Sequence, residues 1–158
     1  MFHVVLYRPE IPPNTGNIMR LCANTDTALH LIRPLGFTLE DQLLRRAGLD
    51  YREWADVVEH DTFDQFLTEA APPRLLAFTR NAGSVHTDPD YRAGDALLFG
   101  PESDGLPADV LSRSEVGDQL RIPMVPRSRS LNLSNAVAIV LYEALRQNGF
   151  PGLVGDGK

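Results

Sequence analysis

Residues 96–107 have the sequence ALLFGPESDGLP, in which a short apolar run ends at a glycine and a proline. Such a run, bounded by turn residues, is typical of a strand that is buried on both faces of a sheet. Comparable runs occupy residues 3–7, 29–32, 56–59, 75–79, 96–100 and 119–122, and helical patterns occupy residues 15–24, 39–47, 63–70, 108–113 and 133–148. Strands that alternate with helices predict a parallel-sheet α/β fold, and the length predicts one domain over residues 1–158.

The composition is that of an ordinary globular protein, with 43% hydrophobic and 23% charged residues. No apolar run approaches the ~20 residues that a membrane span requires, and the apolar N-terminus lacks the leading positive charge of a secretion signal. We therefore expect a cytoplasmic protein. Cys22 is the single cysteine, which excludes an intramolecular disulfide, and its spacing from Ile18 predicts core packing.

The net charge of −6 argues against non-specific binding to nucleic acids, which depends on neutralising phosphates. Fourteen of the fifteen basic residues are arginine, a side chain suited to bidentate phosphate contacts, although genome composition explains this bias equally well. A local basic surface therefore remains compatible with the acidic total.

Several well-known functional motifs are missing from the chain. There is no G-x-G-x-x-G after the first strand, no P-loop and no H-E-x-x-H. His3, His30, His60 and His86 are scattered along the sequence, which favours structural or surface roles for each. The pattern therefore disfavours ordinary dinucleotide binding and predicts no metal site.

The first unusual segment is residues 12–20, PPNTGNIMR, which joins the first strand to the first helix. Asn14 is a good candidate for the N-cap of this helix. Asn14, Asn17 and Arg20 surround a helix N-terminus, which attracts anions such as phosphate. A capped helix with a surface arginine is the alternative interpretation.

The second segment is the loop that follows the apolar run, residues 99–107. Ligands of open α/β sheets bind beyond the carboxyl ends of the strands. Gly100 would let a ligand approach the backbone, and Glu102 would place a carboxylate at the edge of the cleft. A simple turn built from glycine and proline is the alternative interpretation.

The third segment is residues 122–136, IPMVPRSRSLNLSNA, in which two prolines stiffen the connection to the last helix. Ser130 and Asn132 stand at the start of that helix, and a capping role would explain one of them. Arg127 and Arg129 add positive charge where RNA phosphates would lie.

Together, the three segments resemble the three motifs of the SPOUT methyltransferases, and the resemblance covers residues 1 to about 152. Residues 44–51, LRRAGLDY, are similar to a stretch of the minimal, single-domain tRNA (cytidine/uridine) 2′-O-methyltransferases, which modify the ribose of the wobble nucleotide. The resemblance implies an α/β fold with a C-terminal trefoil knot, S-adenosylmethionine as cofactor, a homodimer, and the anticodon stem-loop of tRNA as substrate. It implies neither a metal nor a membrane.

The resemblance also implies which residues form the site. The residues that it assigns to catalysis are Asn14, Arg20, Glu102, Ser130 and Asn132. The residues that it assigns to cofactor binding are Phe78, Gly100, Ile122, Ser130 and Leu131.

Arg20 corresponds to the arginine beside the reacting hydroxyl, and two roles are open for it. It could act as a general base after an unusual pKa shift, or it could hold a phosphate and stabilise charge on the 2′-oxygen. We favour the second role because arginine is essentially always protonated in proteins. For the homodimer, Tyr142 and Leu145 on the last helix are the predicted contacts.

Three other functions are compatible with part of the sequence. A related methyltransferase would act on another tRNA or rRNA site, and an RNA-binding dimer would have lost catalysis. The missing glycine fingerprint makes a doubly wound oxidoreductase the weakest of these.

Overall fold

The computed structural model describes residues 1–39 and 56–154. The strands in these ranges are β1 (His3–Tyr7), β2 (Ala28–Ile32), β3 (Val57–His60), β4 (Arg74–Phe78), β5 (Ser84–Val85), β6 (Asp95–Phe99) and β7 (Val116–Arg121). The helices are α1 (Pro12–Asn24), α2 (Phe63–Glu69), α3 (Ala108–Leu111) and α4 (Leu133–Gln147).

All seven strands form one parallel sheet in the order β3-β2-β1-β6-β4-β7-β5. The predicted parallel α/β fold is confirmed, and the predicted strands differ from the observed ones by a few residues at their ends. The two-residue strand β5 was not predicted because it is too short to carry a pattern. The helix predicted over residues 39–47 lies, apart from Leu39, outside the described residues, as does the 44–51 stretch. The trefoil knot and the domain extent remain predictions.

Helices cover both faces of the sheet. On one face, α1 and α4 pack against the strands through residues such as Ile18 and Val137, and on the other face α2 contributes Phe66. Cys22 is 3% exposed on the first face, and burial raises the pKa of its thiol to about 12. Its predicted place in the core is confirmed. None of the described helices has the length and apolar character needed to cross a bilayer.

Helix α1 begins three residues earlier than the sequence predicts. Its N-cap is Ile11, so Asn14 lies inside the helix, and the prediction that Asn14 is the N-cap is wrong. Proline is favourable in the first turn because the N–H that it lacks would have no partner within the helix, so Pro12 and Pro13 start the helix. The Asn14 side chain instead hydrogen bonds to Glu102 and Asn132.

Helix α4 begins and ends as the sequence predicts, within one residue. Asn132 is its N-cap and accepts hydrogen bonds from the backbone N–H groups of Ser134 and Asn135 at 2.9 and 3.3 Å. At the other end Gly149 has φ +72°, a left-handed conformation that glycine adopts without strain.

Three of the four histidines, although scattered along the sequence, form a row across the sheet. Nδ1 of His3 lies 2.9 Å from Nε2 of His30, and Nδ1 of His30 lies 2.9 Å from Nε2 of His60. Nδ1 of His60 lies 3.1 Å from a carboxylate oxygen of Glu69 on α2. No group of three or more His, Cys, Asp or Glu side chains in the described ranges is arranged to hold a metal ion.

Candidate active site

The sheet has a topological switch point between β1 and β6, and ligands of open α/β sheets bind at such points. The chain adds β2 and β3 on one side of β1 and later strands on the other side, so the loops after β1 and β6 diverge at this point. A cavity of about 690 Å³ opens at the carboxyl ends of β4, β6 and β7. Its lining includes Ile11 and Asn14 from the β1–α1 segment, the loop after β6, and Ser130 and Asn132 before α4. The three segments selected from the sequence therefore meet at one cavity.

Two glutamates tie the first two loops together. Oε2 of Glu102 accepts a hydrogen bond from the backbone N–H of Glu10 at 2.8 Å, and Oε1 accepts one from the N–H of Ile11 at 3.1 Å. In return, the Glu10 carboxylate accepts from the backbone N–H and the hydroxyl of Ser103 at 3.0 and 2.9 Å. Each loop thus supplies the acceptors for the other. We call this exchange the glutamate clasp.

Asn14 connects the glutamate clasp to the third segment. It is 6% exposed, its Nδ2 donates to Oε1 of Glu102 at 3.2 Å, and its Oδ1 accepts from Nδ2 of Asn132 at 2.8 Å. Because Asn132 also caps α4, the chain of bonds from Glu102 to Asn132 sets the N-terminus of α1 against that of α4. The starts of both helices therefore lie together beside the cavity.

Comparison with known proteins identifies the family of the chain. The profile of the SpoU rRNA Methylase family matches residues 1–142. The chain belongs to this family. Among its relatives, the tRNA (cytidine(34)-2′-O)-methyltransferase of Escherichia coli K12 is 54% identical over 154 residues, covering 98% of each chain. That of Burkholderia ambifaria is 55% identical over 155 residues, covering 96% of this chain and 99% of the relative.

Solved structures of other methyltransferases share the fold. One, described as giving structural insights into the 2-OH methylation of C/U34 on tRNA, has a TM-score of 0.86 at 49% identity and covers 94% of this chain and 97% of its own. The SpoU methyltransferase AviRb from Streptomyces viridochromogenes was solved in complex with AdoMet. It has a TM-score of 0.79 at 25% identity and covers 92% of this chain and 60% of its own.

In this SpoU methylase, the cavity holds nearly all the residues that the sequence analysis selected. Its lining includes the predicted residues Asn14, Phe78, Gly100, Glu102, Ile122, Ser130, Leu131 and Asn132. Arg20 does not belong to this lining and is exposed on α1, as are Arg127 and Arg129 in the segment before α4. The described chain therefore brings together every predicted site residue except Arg20.

The cavity of the SpoU methylase fits S-adenosylmethionine by size and by lining. Its volume is within the range of small-molecule sites, and it combines apolar walls such as Phe78, Ile122 and Leu131 with polar groups such as Ser130. The Phe78 ring stacks on Phe99 at a centroid distance of 4.9 Å, which stiffens one wall. An adenine ring suits the apolar walls, and the charged methionyl part suits the polar edge.

Gly100 lines the cavity, and the fold of its own loop also requires a glycine at this position. A Cβ atom at this position would lie 2.3 Å from the backbone carbon of Gly105 and 2.3 Å from the backbone nitrogen of Leu106. The missing side chain therefore lets the loop fold back on itself, and the ligand-facing shape of the cavity depends on that turn.

Sequence reasoning missed Glu10 and Ser103, which form half of the glutamate clasp. Glu10 stands before the proline pair and resembles any surface acid, and Ser103 resembles a turn residue. No local pattern identifies their partners, because the two residues are 93 positions apart.

Proposed function

We propose that this SpoU family member is an S-adenosylmethionine-dependent tRNA methyltransferase that methylates the ribose 2′-hydroxyl of the wobble nucleotide, a cytidine or modified uridine. The main structural support for the proposal is the series of hydrogen bonds that joins Glu102, Asn14 and Asn132 beside the cavity. It occurs in a chain that is 54% identical, over 98% of its length, to a tRNA (cytidine(34)-2′-O)-methyltransferase.

In the proposed reaction, S-adenosylmethionine supplies a methyl group carried on a positively charged sulfur. The tasks of the protein are to align the ribose oxygen with that methyl group and to assist loss of the hydroxyl proton. The residues that would hold the cofactor are Phe78, Gly100, Ile122, Ser130 and Leu131.

The polar side chains at the cavity divide into two kinds. Asn14 and Asn132 use their amides in the bonds that join the loops, so we assign them to positioning. Ser130 is exposed at the cavity, and its hydroxyl makes no hydrogen bond to any residue in the ranges 1–39 and 56–154. Its hydroxyl is therefore available to contact substrate or cofactor.

Arg20 lies outside the cavity formed by one chain, which agrees with an active site that a second subunit completes. We propose that Arg20 binds an RNA phosphate and stabilises negative charge developing on the 2′-oxygen in a homodimer. A guanidinium suits both roles because it stays charged and offers two parallel N–H donors.

The exposed side of α4 is the surface we propose for the dimer. Ile139 and Tyr142 are 40% and 47% exposed, and the Tyr142 ring lies 6.4 Å from that of Phe150, which is 39% exposed. Leu145 is 3% exposed in the core of its own chain, so the prediction that it contacts a partner is wrong. We place the proposed dimer in the cytoplasm with its tRNA substrate.

A methyltransferase that acts on another RNA is the second candidate, because the name of the matching family refers to methylation of rRNA. Mass spectrometry of nucleosides from tRNA and rRNA, with and without the protein, separates the two. We expect one added ribose methyl at the wobble position of a tRNA subset. A methyl group gained only in rRNA would favour the second candidate, and no gain in either RNA would support an inactive RNA-binding protein.

A further inference from the structure

A second cavity, of about 230 Å³, lies at the carboxyl ends of β1, β2 and β3 on the α2 side of the sheet. Its lining combines Tyr7 and Arg8 at the end of β1 with charged residues of the loops that follow β2 and β3 and of the segment around α3. The short helix α3 separates it from the larger cavity: Ala108 and Leu111 face the larger one, whereas Asp109 faces the second. A strand of RNA seated at the larger cavity would have the second within reach.

Most charges around the second cavity are already paired. Arg33 lies 3.8 Å from Asp61, and Arg113 lies 2.6 Å from Asp64. Arg8 and Asp109 line the same cavity, and neither is in an ion pair with any residue of the described ranges. One cation and one anion are therefore left to face a ligand.

Arg8 is held in an unusual conformation. Its φ is +51°, in the left-handed region that residues other than glycine and asparagine rarely adopt. Its backbone N–H donates to the carbonyl of Ile32 at 2.9 Å. The guanidinium carbon lies 4.9 Å from the centre of the Tyr7 ring. A guanidinium thus lies over an aromatic ring at the edge of the cavity.

We propose that the second cavity binds an unstacked nucleobase of the RNA, from a nucleotide close to the one that is methylated. Proteins that recognise RNA loops stack splayed bases on aromatic rings and guanidinium groups, and hydrogen bond their edges. Arg8 supplies the stacking surface and N–H donors, and Asp109 accepts from an amino or imino group of the base. This inference rests on the proposed function, because it takes the larger cavity as the methylation site.

The test compares three variants on an anticodon stem-loop RNA. Arg8→Asn removes the guanidinium while keeping a residue that tolerates the left-handed backbone. It should weaken RNA affinity and raise the KM for RNA about tenfold, as loss of one stacked base does, with kcat and S-adenosylmethionine affinity near wild type. The matched control, Arg92→Asn, removes an equal charge just before β6, at the amino ends of the strands and thus away from the second cavity, and should bind RNA like wild type.

Asp109→Asn separates a base contact from general electrostatics. If Asp109 only repels the RNA phosphates, removing its negative charge strengthens RNA binding. If Asp109 contacts a base, losing that contact weakens RNA binding. We expect weaker binding. Stronger binding by this variant would overturn the assignment of Asp109 to a base.

Single abasic substitutions through the RNA loop then locate the base. One position should lower wild-type affinity about tenfold and have little further effect on Arg8→Asn, since each change removes the same contact. Unchanged RNA affinity in Arg8→Asn, or fully additive losses at every position, would overturn the proposal. Absence of turnover by the wild type would count against the proposed function. The RNA affinities of the wild type and the variants would still decide whether the second cavity binds a base.

Discussion

Replacing Glu102 with glutamine tests whether this carboxylate holds the first two loops together. In the native chain its Oε2 accepts from the N–H of Glu10 at 2.8 Å and its Oε1 accepts from the N–H of Ile11 and the amide of Asn14. Glutamine keeps the oxygen on one side only. On the other side it places an NH₂ group against a backbone N–H, where two donors oppose each other.

The expected loss follows from these contacts. A hydrogen bond to a charged group contributes about 1.5–3 kcal/mol, and a negative charge at a helix N-terminus contributes about 0.3–1 kcal/mol. Glu102 is half-buried and water can replace part of the loss, so we expect a decrease of about 2 kcal/mol in the free energy of unfolding. For a chain of this length, that corresponds to a decrease in Tm of about 4–8 °C.

Thermal unfolding followed by circular dichroism measures the decrease. The control is Glu115→Gln, which neutralises an exposed glutamate paired with Arg113 and should change Tm little. Methyl transfer by Glu102→Gln should also slow, since the Glu102 carboxylate orients Asn14. A Tm of Glu102→Gln equal to that of the wild type would refute the structural role given to the glutamate clasp.

Four further predictions concern the rest of the molecule. Gly100→Val should sharply lower S-adenosylmethionine affinity in calorimetry, because its Cβ would lie 2.3 Å from the backbone of Gly105; unchanged affinity would contradict this. Burial, with the neighbouring histidines, lowers the pKa of His30 to about 4. Between pH 6.5 and 4 only the unfolded chain takes up this proton, so the free energy of unfolding is full above pH 6.5 and falls by about 3 kcal/mol as pH drops toward 4. His30→Gln should therefore show a smaller fall in Tm over that range than the wild type, and equal falls would refute the assignment. Arg20→Ala should nearly abolish single-turnover methyl transfer while leaving S-adenosylmethionine affinity intact, and Arg20→Lys should recover activity only if charge alone suffices; near-normal transfer by Arg20→Ala would remove Arg20 from the mechanism. Tyr142→Glu should convert a sedimenting dimer into an inactive monomer, and a stable, active wild-type monomer at micromolar concentration would exclude the proposed dimer.

The loop segments that form the site were predictable because their signals are local. Gly100 and Pro101 end an apolar run, and the prolines before Arg127 interrupt the chain where no helix or strand can continue. The sites of parallel sheets lie beyond the carboxyl ends of strands, so finding those ends was enough to select the segments. Helix α4 was equally predictable, since its apolar residues recur at helical spacing and Asn132 and Gly149 mark its ends.

The role of each side chain depended on contacts that local patterns do not encode. Asn14 has the sequence context of an N-cap, yet it is an internal helical residue whose amide joins Glu102 to Asn132. The neighbours of Glu102 depend on β6 lying beside β1, a strand order that no local sequence pattern specifies.

Two other outcomes had the same cause. Leu145 and Tyr142 belong to one helix, but only the position of that helix on the sheet buries the first and exposes the second. His30 and His60 come together because β2 and β3 pair in a particular register. The sequence by itself determined which segments become the main strands, helices and loops, because these depend on the periodicity and turn chemistry of neighbouring residues. The tertiary structure alone decided which distant polar groups became partners, because hydrogen bonds act over about 3 Å and require the strand order and register to be set first.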